Sequence, residues 1–274
     1  MKDKRFAWLE EINKNEWKFD FSKQKWNSDE KLDIAIENME SKPNMSKSIF
    51  VKLIATYPYH FDAYHHLALV FGYEGKYEEA LNLRKIGVEM GFSLFPKAFD
   101  LNKDKLEWSW LENRPFLRLM HGLAIDYAYV LKDTKKELEI YEQLLRFDPE
   151  DHQGCRNNAV GCYLDLGLTD NILTLAKTYG NDQVSPDVPF AEVLAYLSLG
   201  KKEEARSAIK HAINAFPYVA KQIIDKEHKK PETDPEMEGY ITVGGDDQAY
   251  YYWEEFGKYW EKTDGAIAFV AEYL

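Results

Sequence analysis

A chain of 274 residues that is 45% hydrophobic and 15% aromatic carries ample apolar material for a core, which excludes an intrinsically disordered protein. With 47 acidic residues against 35 basic ones, its formal net charge is −12, so neither nucleic-acid phosphates nor an anionic membrane surface is the expected partner. Cys155 and Cys162 are its two cysteines, a count that fits a reducing compartment and a fold without disulfides.

The N-terminal stretch MKDKRFAWLEEINKNEW has charges at Asp3, Lys4, Glu10 and Glu11 and lacks the apolar core of a signal peptide. No apolar run approaches the roughly 20 residues that span a bilayer, and a cytoplasmic protein is expected. Residues 1–27 are rich in aromatics (Phe6, Trp8, Trp17, Phe19, Phe21, Trp26) and are expected to cap one end of the fold. From 28 to 225 the apolar spacing is helical. Tyr64, Leu67, Ala68 and Phe71 share one face, a turn follows at Gly75, and Tyr77, Ala80, Leu81 and Arg84 open a second helix. The same helix–turn–helix plan recurs in FLRLMHGLAIDYAYVLKDTKKELEIYEQLLRFDP and in PFAEVLAYLSLGKKEEARSAIKHAINAFP. About five helix pairs are expected, interrupted by an insertion at 93–114 that predicts a loop with a short helix. Residues 226–247, with two prolines and three glycines, predict an exposed connector, and 248–274 return to helical spacing as C-terminal capping helices.

Junction prolines set the register. Pro58, Pro149 and Pro217 each follow a helix, and the last two are 68 residues apart, twice a 34-residue period. Counting ten residues on from Pro58 and Pro149 reaches Ala68 and Ala159, and five on from Gly75 and Gly200 reaches Ala80 and Ala205. Small residues at these places let paired helices approach closely. With that pattern (Tyr64, Leu67, Ala68, Phe71, Gly75, Ala80 in one unit; Tyr196, Gly200, Ala205, Ala212, Pro217 in another) the chain resembles tetratricopeptide repeat proteins. The resemblance implies an all-α, superhelical array of antiparallel helix pairs. From Leu106 onward, LEWSWLENRPFLRLMHGLA, DPEDHQGCRNNAV, FPYVAKQII and WEKTDGAIAFV follow in an order similar to uncharacterised bacterial repeat proteins like the suppressor of tumorigenicity 7 family, which implies an interaction or regulatory role. The unit from Asp151 to Asp182 departs from the pattern at Asn171, where a small residue is usual, and its second helix is expected to pack loosely.

Standard catalytic signatures are missing: there is no His-Glu-x-x-His, no phosphate-cradling glycine loop and no Gly-x-Ser-x-Gly. His152 and Cys155 invite a base-and-nucleophile reading, but the register from Pro149 puts Cys155 and Cys162 at packing positions. Adjacent histidines at 65 and 66 point about 100° apart on a helix and do not readily share one metal. No cofactor and no metal are expected. Arg118 and His121, three apart on one helix face, together with Arg156 and Asn157 of the next unit, form the candidate peptide- or anion-binding set, with Arg114 and His65 beside it. It resembles in kind the carboxylate clamp of tetratricopeptide grooves. The opposing reading is internal salt bridging, for instance Arg114 or Arg118 to Glu112 or Asp126. The aromatic stripe Tyr252, Phe256, Tyr259 and Trp260 is expected to be core. The chain therefore reads as a non-enzymatic interaction or scaffold module that binds a peptide or acidic protein segment in a concave groove. The alternatives are a metal- or anion-dependent enzyme or regulator using the His/Arg cluster, and a structural oligomer subunit; oligomeric state is left open.

Overall fold

Alternation, not helical spacing, governs the first described segment. Trp17, Phe19 and Phe21 occur at every second residue and turn to one side of an antiparallel hairpin, β1 (Trp8–Asn13) and β2 (Glu16–Asp20). The computed structural model describes residues 7–21, 29–232 and 239–274. Phe6 and Trp26 of the expected aromatic cap, and 233–238 of the expected connector, lie outside the described residues. The remaining elements are helical, and the chain divides into two compact units, Met1–Cys155 and Arg156–Leu274.

In the first unit, α1 (Asp29–Glu37) packs on α2 (Pro43–Thr56), α3 (Phe61–Tyr73) on α4 (Tyr77–Phe92), and α5 (Arg114–Asp126) on α6 (Thr134–Phe147). Helices α2, α3, α5 and α6 each begin for a local reason. Pro43 stands in the first turn of α2 and Pro115 in that of α5, where a missing N–H costs nothing. The His60 imidazole accepts the Ala63 N–H at the start of α3, and the Asp133 carboxylate accepts the Lys136 N–H at the start of α6. The turns inside the α3/α4 and α5/α6 pairs each use a left-handed residue. Gly75 supplies it after α3, whereas Lys132 (φ 51°) supplies it after α5, which runs on through a π-helical turn, Tyr127–Leu131.

Phe19 of the hairpin meets Phe61 of α3 and Phe116 of α5, with ring centroids 5.3 and 5.2 Å away. Buried Asn113 ties the hairpin to the head of α5: its Oδ1 accepts the Phe19 N–H (3.0 Å) and its Nδ2 donates to the carbonyls of Trp17 and Glu107 (3.1 Å each). The insertion preceding α5 consists of successive turns rather than the expected short helix. Gly91 lets α4 lie against α5, since a Cβ there would sit 2.1 Å from the Phe116 ring. Gly91→Ala is therefore expected to destabilise the protein by about 1–3 kcal/mol through overpacking. A thermal-unfolding midpoint unchanged from wild type would refute that close approach.

In the second unit, α7 (Cys155–Leu166) is followed by α8 (Thr169–Tyr179), α9 (Asp187–Ser198) and α10 (Lys202–Ala215), with α8 and α10 both packed on α9. Left-handed glycines again make the turns, Gly167 after α7 and Gly200 after α9. Asn171 is exposed, and α8 packs through Ile172, Leu175 and Ala176 instead. Pro217 both follows α10 and opens α11 (Pro217–Ile224), which packs on α12 (Asp246–Lys262) and α13 (Ala266–Ala271). Tyr252, Phe256 and Trp260 are buried; Phe190 of α9 lies 5.5 Å from Tyr252, and the Trp260 indole N–H donates to the Tyr252 hydroxyl at 2.8 Å.

Candidate functional site

Helices α3 and α5 are the first members of neighbouring pairs, and they pack side by side in the first unit. Asp62, His65 and His66 belong to α3; Arg114, Arg118 and His121 belong to α5. The insertion supplies a ring beside them. Trp108 is fixed at both ends of its peptide unit: its N–H donates to the Asp148 carboxylate (3.2 Å) and its carbonyl accepts from Arg114 Nε (2.8 Å). The guanidinium groups of Arg114 and Arg118 lie 5.3 and 5.7 Å from the Trp108 ring centroid, within cation–π range. Arg118 Nη2 donates to Asp62 Oδ1 at 2.8 Å, and its side chain remains 37% exposed. Thus Arg118 is paired internally, but to Asp62 rather than to Glu112 or Asp126. Asp126 belongs to Arg84, whose Nη1 donates to both of its oxygens at 2.6 Å in a buried pair.

The histidines of this site are neutral for a physical reason. Burial pushes the His65 imidazole down to about 3, helped by His66, Arg84, Arg118 and His121 around it. Burial also lowers His66, against the carbonyl of Asp62 that accepts its Nδ1–H (2.8 Å) and the Asp62 charge. His121 is lowered by burial as well, and its ring meets Tyr141 at 5.6 Å. His65 Nδ1, His121 Nε2 and Arg84 Nε are enclosed and have no hydrogen-bond partner among the described residues. Two of them converge: a Cβ placed on Gly122 would lie 2.8 Å from Arg84 Nε and 3.3 Å from His65 Nδ1.

Arg156 and Asn157 belong to the second unit. There Arg156 Nε and Nη2 both donate to Asp182 Oδ2, at 2.8 and 2.6 Å, and the guanidinium lies 5.8 Å from the Tyr179 ring. Asn157 Oδ1 is enclosed and has no hydrogen-bond partner among the described residues. Nearby, Asp187 at the head of α9 is pushed up to about 7 by burial first and by the Glu255 carboxylate second.

The stretch around Cys155 is a helix junction. Asp148 accepts the backbone N–H and the ring Nδ1 of His152 (3.0 Å each), and Asp151 accepts the Cys155 N–H (2.7 Å) at the start of α7. Cys155 and Cys162 are buried, and burial followed by the Asp151 charge raises the Cys155 thiol far above the usual thiol range, leaving it a poor nucleophile. Among the described residues no group of three or more His, Cys, Asp and Glu side chains is arranged to hold a metal ion, and no helix is long and apolar enough to cross a membrane.

Three features of the first-unit site escape sequence reading. Asp62 is an ordinary first-turn acid in the sequence, Trp108 an aromatic in an irregular insertion, and Arg84 occupies what reads as a packing position. A charged residue at a packing position is the one usable signal, since such a group requires a partner.

Helix pairs turned by left-handed residues, with Ala68, Ala80, Ala159 and Ala205 buried where the repeat register puts small residues, define a tetratricopeptide-like helical-repeat protein. Residues 17–249 match the family described as Transcriptional repressor TCF25, and the chain belongs to that family. The family found differs from the suppressor of tumorigenicity 7 family, to which the uncharacterised bacterial repeat proteins resembled from Leu106 onward are similar. No curated protein matches the chain. Among solved structures it is similar to YrrB, described as a TPR protein with an unusual peptide-binding site (TM-score 0.49, 15% identity, covering 70% of this chain and 87% of that one). It is also similar to a putative kinesin light chain of Podosopora anserina with nearly identical TPR-like repeats (TM-score 0.46, 14% identity, covering 68% and 93%).

Proposed function

We propose that the first unit is a protein-interaction module that binds an acidic peptide or protein segment along α3 and α5. The observation that carries this reading is Arg118: a partly exposed guanidinium held over Trp108, with Nη2 bonded to Asp62 and its other nitrogens without a hydrogen bond among the described residues. With His65 and His121 beside it held neutral, the Arg118 guanidinium is the cation that an approaching carboxylate meets here. A guanidinium fixed on an aromatic face loses little freedom when it takes up a carboxylate, which favours it as an anchor. The family's description names a transcriptional repressor. With a net charge of −12, this chain fits such a role better by holding other proteins than by contacting nucleic-acid phosphates.

Affinity capture from the native host, comparing wild type with Arg118→Ala, tests the reading. Loss of a charge-assisted hydrogen bond is expected to weaken the bound partner about 10- to 150-fold, from about 1.5–3 kcal/mol per such bond. The thermal midpoint should shift only slightly, because an ion pair whose arginine stays partly exposed contributes only about 0–1 kcal/mol to folding. Equal capture by the variant would overturn the proposal.

A further inference from the structure

At the far end of α5 the chain leaves a cavity of about 720 Å³, lined by Gly75, Tyr77, Glu78, Glu79, Tyr129 and Val130. We infer that this notch receives a lysine or arginine side chain from a partner protein. Its walls are aromatic and unusually bare: Tyr129 is 81% exposed and Tyr77 58%. The π-helical turn Tyr127–Leu131 buries none of its five residues, and π-turns occur preferentially at functional sites. The notch is also negative. Glu78 and Glu79 stand in the first turn of α4, and neither carboxylate forms an ion pair among the described residues. The nearby Lys76 is taken by Glu74 at 2.8 Å.

These features select one occupant. An apolar side chain would strip water from two carboxylates and give nothing in return. An anion would meet like charge. A cation meets two full negative charges and two tyrosine faces, and the opposing positive end of α4 amounts to only about half a charge. Guanidinium fits best, since its plane can lie on a ring while its edge meets a carboxylate.

A second consequence rests on the α3–α5 reading above. Arg118 and Ile125, seven residues apart, lie on one side of α5, Ile125 is also exposed, and Tyr129 belongs to the π-helical turn that continues the helix. At about 1.5 Å per residue, the eleven steps from Arg118 to Tyr129 span roughly 16 Å, the reach of about five extended residues. A partner using both places therefore carries an acidic and a basic side chain about five residues apart.

The test titrates the full chain with the acetylated, amidated tripeptide Leu-Arg-Leu and with its Leu-Gln-Leu counterpart, following backbone amide signals by NMR. The arginine peptide is expected to shift Gly75, Tyr77, Tyr129 and Val130. Binding should weaken at least fivefold in the double variant Glu78→Gln, Glu79→Gln and in Tyr129→Ala, all exposed changes whose thermal midpoints are checked first. Equal shifts with the glutamine peptide, or undiminished binding by both variants, overturn the notch. Arg118→Ala is expected to leave the tripeptide titration untouched but to weaken, at least fivefold, a peptide bearing glutamate and arginine five residues apart. If that longer peptide is insensitive to Arg118→Ala while the tripeptide still requires Glu78 and Glu79, the notch stands and the α3–α5 reading falls.

Discussion

Lowering the pH from 7.5 to 5.5 is expected to loosen the unit Met1–Cys155 and to firm the unit Arg156–Leu274. In the first unit burial holds His65 down at about 3 and lowers His66 and His121. The unfolded chain takes up a proton at the ordinary imidazole value near 6.5, whereas the folded chain does not, so stability is full above that value and falls as the pH drops below it. Each such histidine removes up to about 1.4 kcal/mol per pH unit, so His65 alone accounts for about 1.4 kcal/mol between pH 7.5 and 5.5. Asp126 works the other way in this unit, since burial raises it against the attraction of Arg84, but it is one group against three.

In the second unit the sign reverses. Asp187, pushed up to about 7, is protonated in the folded chain before the unfolded chain binds that proton near 3.8, so stability rises as the pH falls below 7. The gain between pH 7.5 and 5.5 is about 2 kcal/mol, and Glu192 and Glu255, both raised by burial, add in the same direction. Residue-resolved hydrogen exchange, corrected for its intrinsic pH dependence, measures both units in one sample. Protection that falls in parallel in the two would contradict the assignment, and His65→Gln should flatten the slope of the first unit whatever it does to absolute stability.

Replacing Arg84 by alanine is expected to cost about 3–5 kcal/mol, the usual penalty for stranding a buried charge. Arg84 and Asp126 side chains are only 7% and 10% exposed, and both carboxylate oxygens accept from one guanidinium nitrogen. Burial already raises the Asp126 carboxyl, with Arg84 as the first counterweight, so its removal drives Asp126 to take a proton. The variant should therefore lose less stability on mild acidification than wild type does. Substituting both partners by apolar residues, Arg84→Met with Asp126→Leu, should come within about 1–2 kcal/mol of wild type, because the pair's attraction mainly offsets its own desolvation. Urea midpoints for the single and double variants read this directly. A cost below about 1 kcal/mol for Arg84→Ala would mean that the pair is hydrated, contrary to its burial.

The repeat was legible because its signals are local and repeated. Tyr64, Leu67 and Ala68 are spaced for one helix face, Gly75 and Gly200 sit where a left-handed turn must come, and Pro217 marks a junction. The hairpin was equally legible in the alternation of Trp17, Phe19 and Phe21, but six aromatics in a short stretch read first as undirected apolar mass. Arg118 and His121 could be placed on one helix face from their spacing. Their chemistry could not, because Asp62 lies 56 residues from Arg118 and Trp108 enters from an insertion with no periodicity.

By itself, then, the sequence determined the helical register, the paired-helix repeat, the packing role of Cys155 and the acidic balance of the surface. Those follow from side-chain spacing and backbone preference, which neighbouring residues settle among themselves. Tertiary structure alone decided which cation meets which carboxylate: Arg118 with Asp62, Arg84 with Asp126, Arg156 with Asp182. It also decided that three histidines of ordinary basicity are held neutral. Charge pairing and desolvation depend on distance in space and on the exclusion of water, and neither exists until separate helices have packed together.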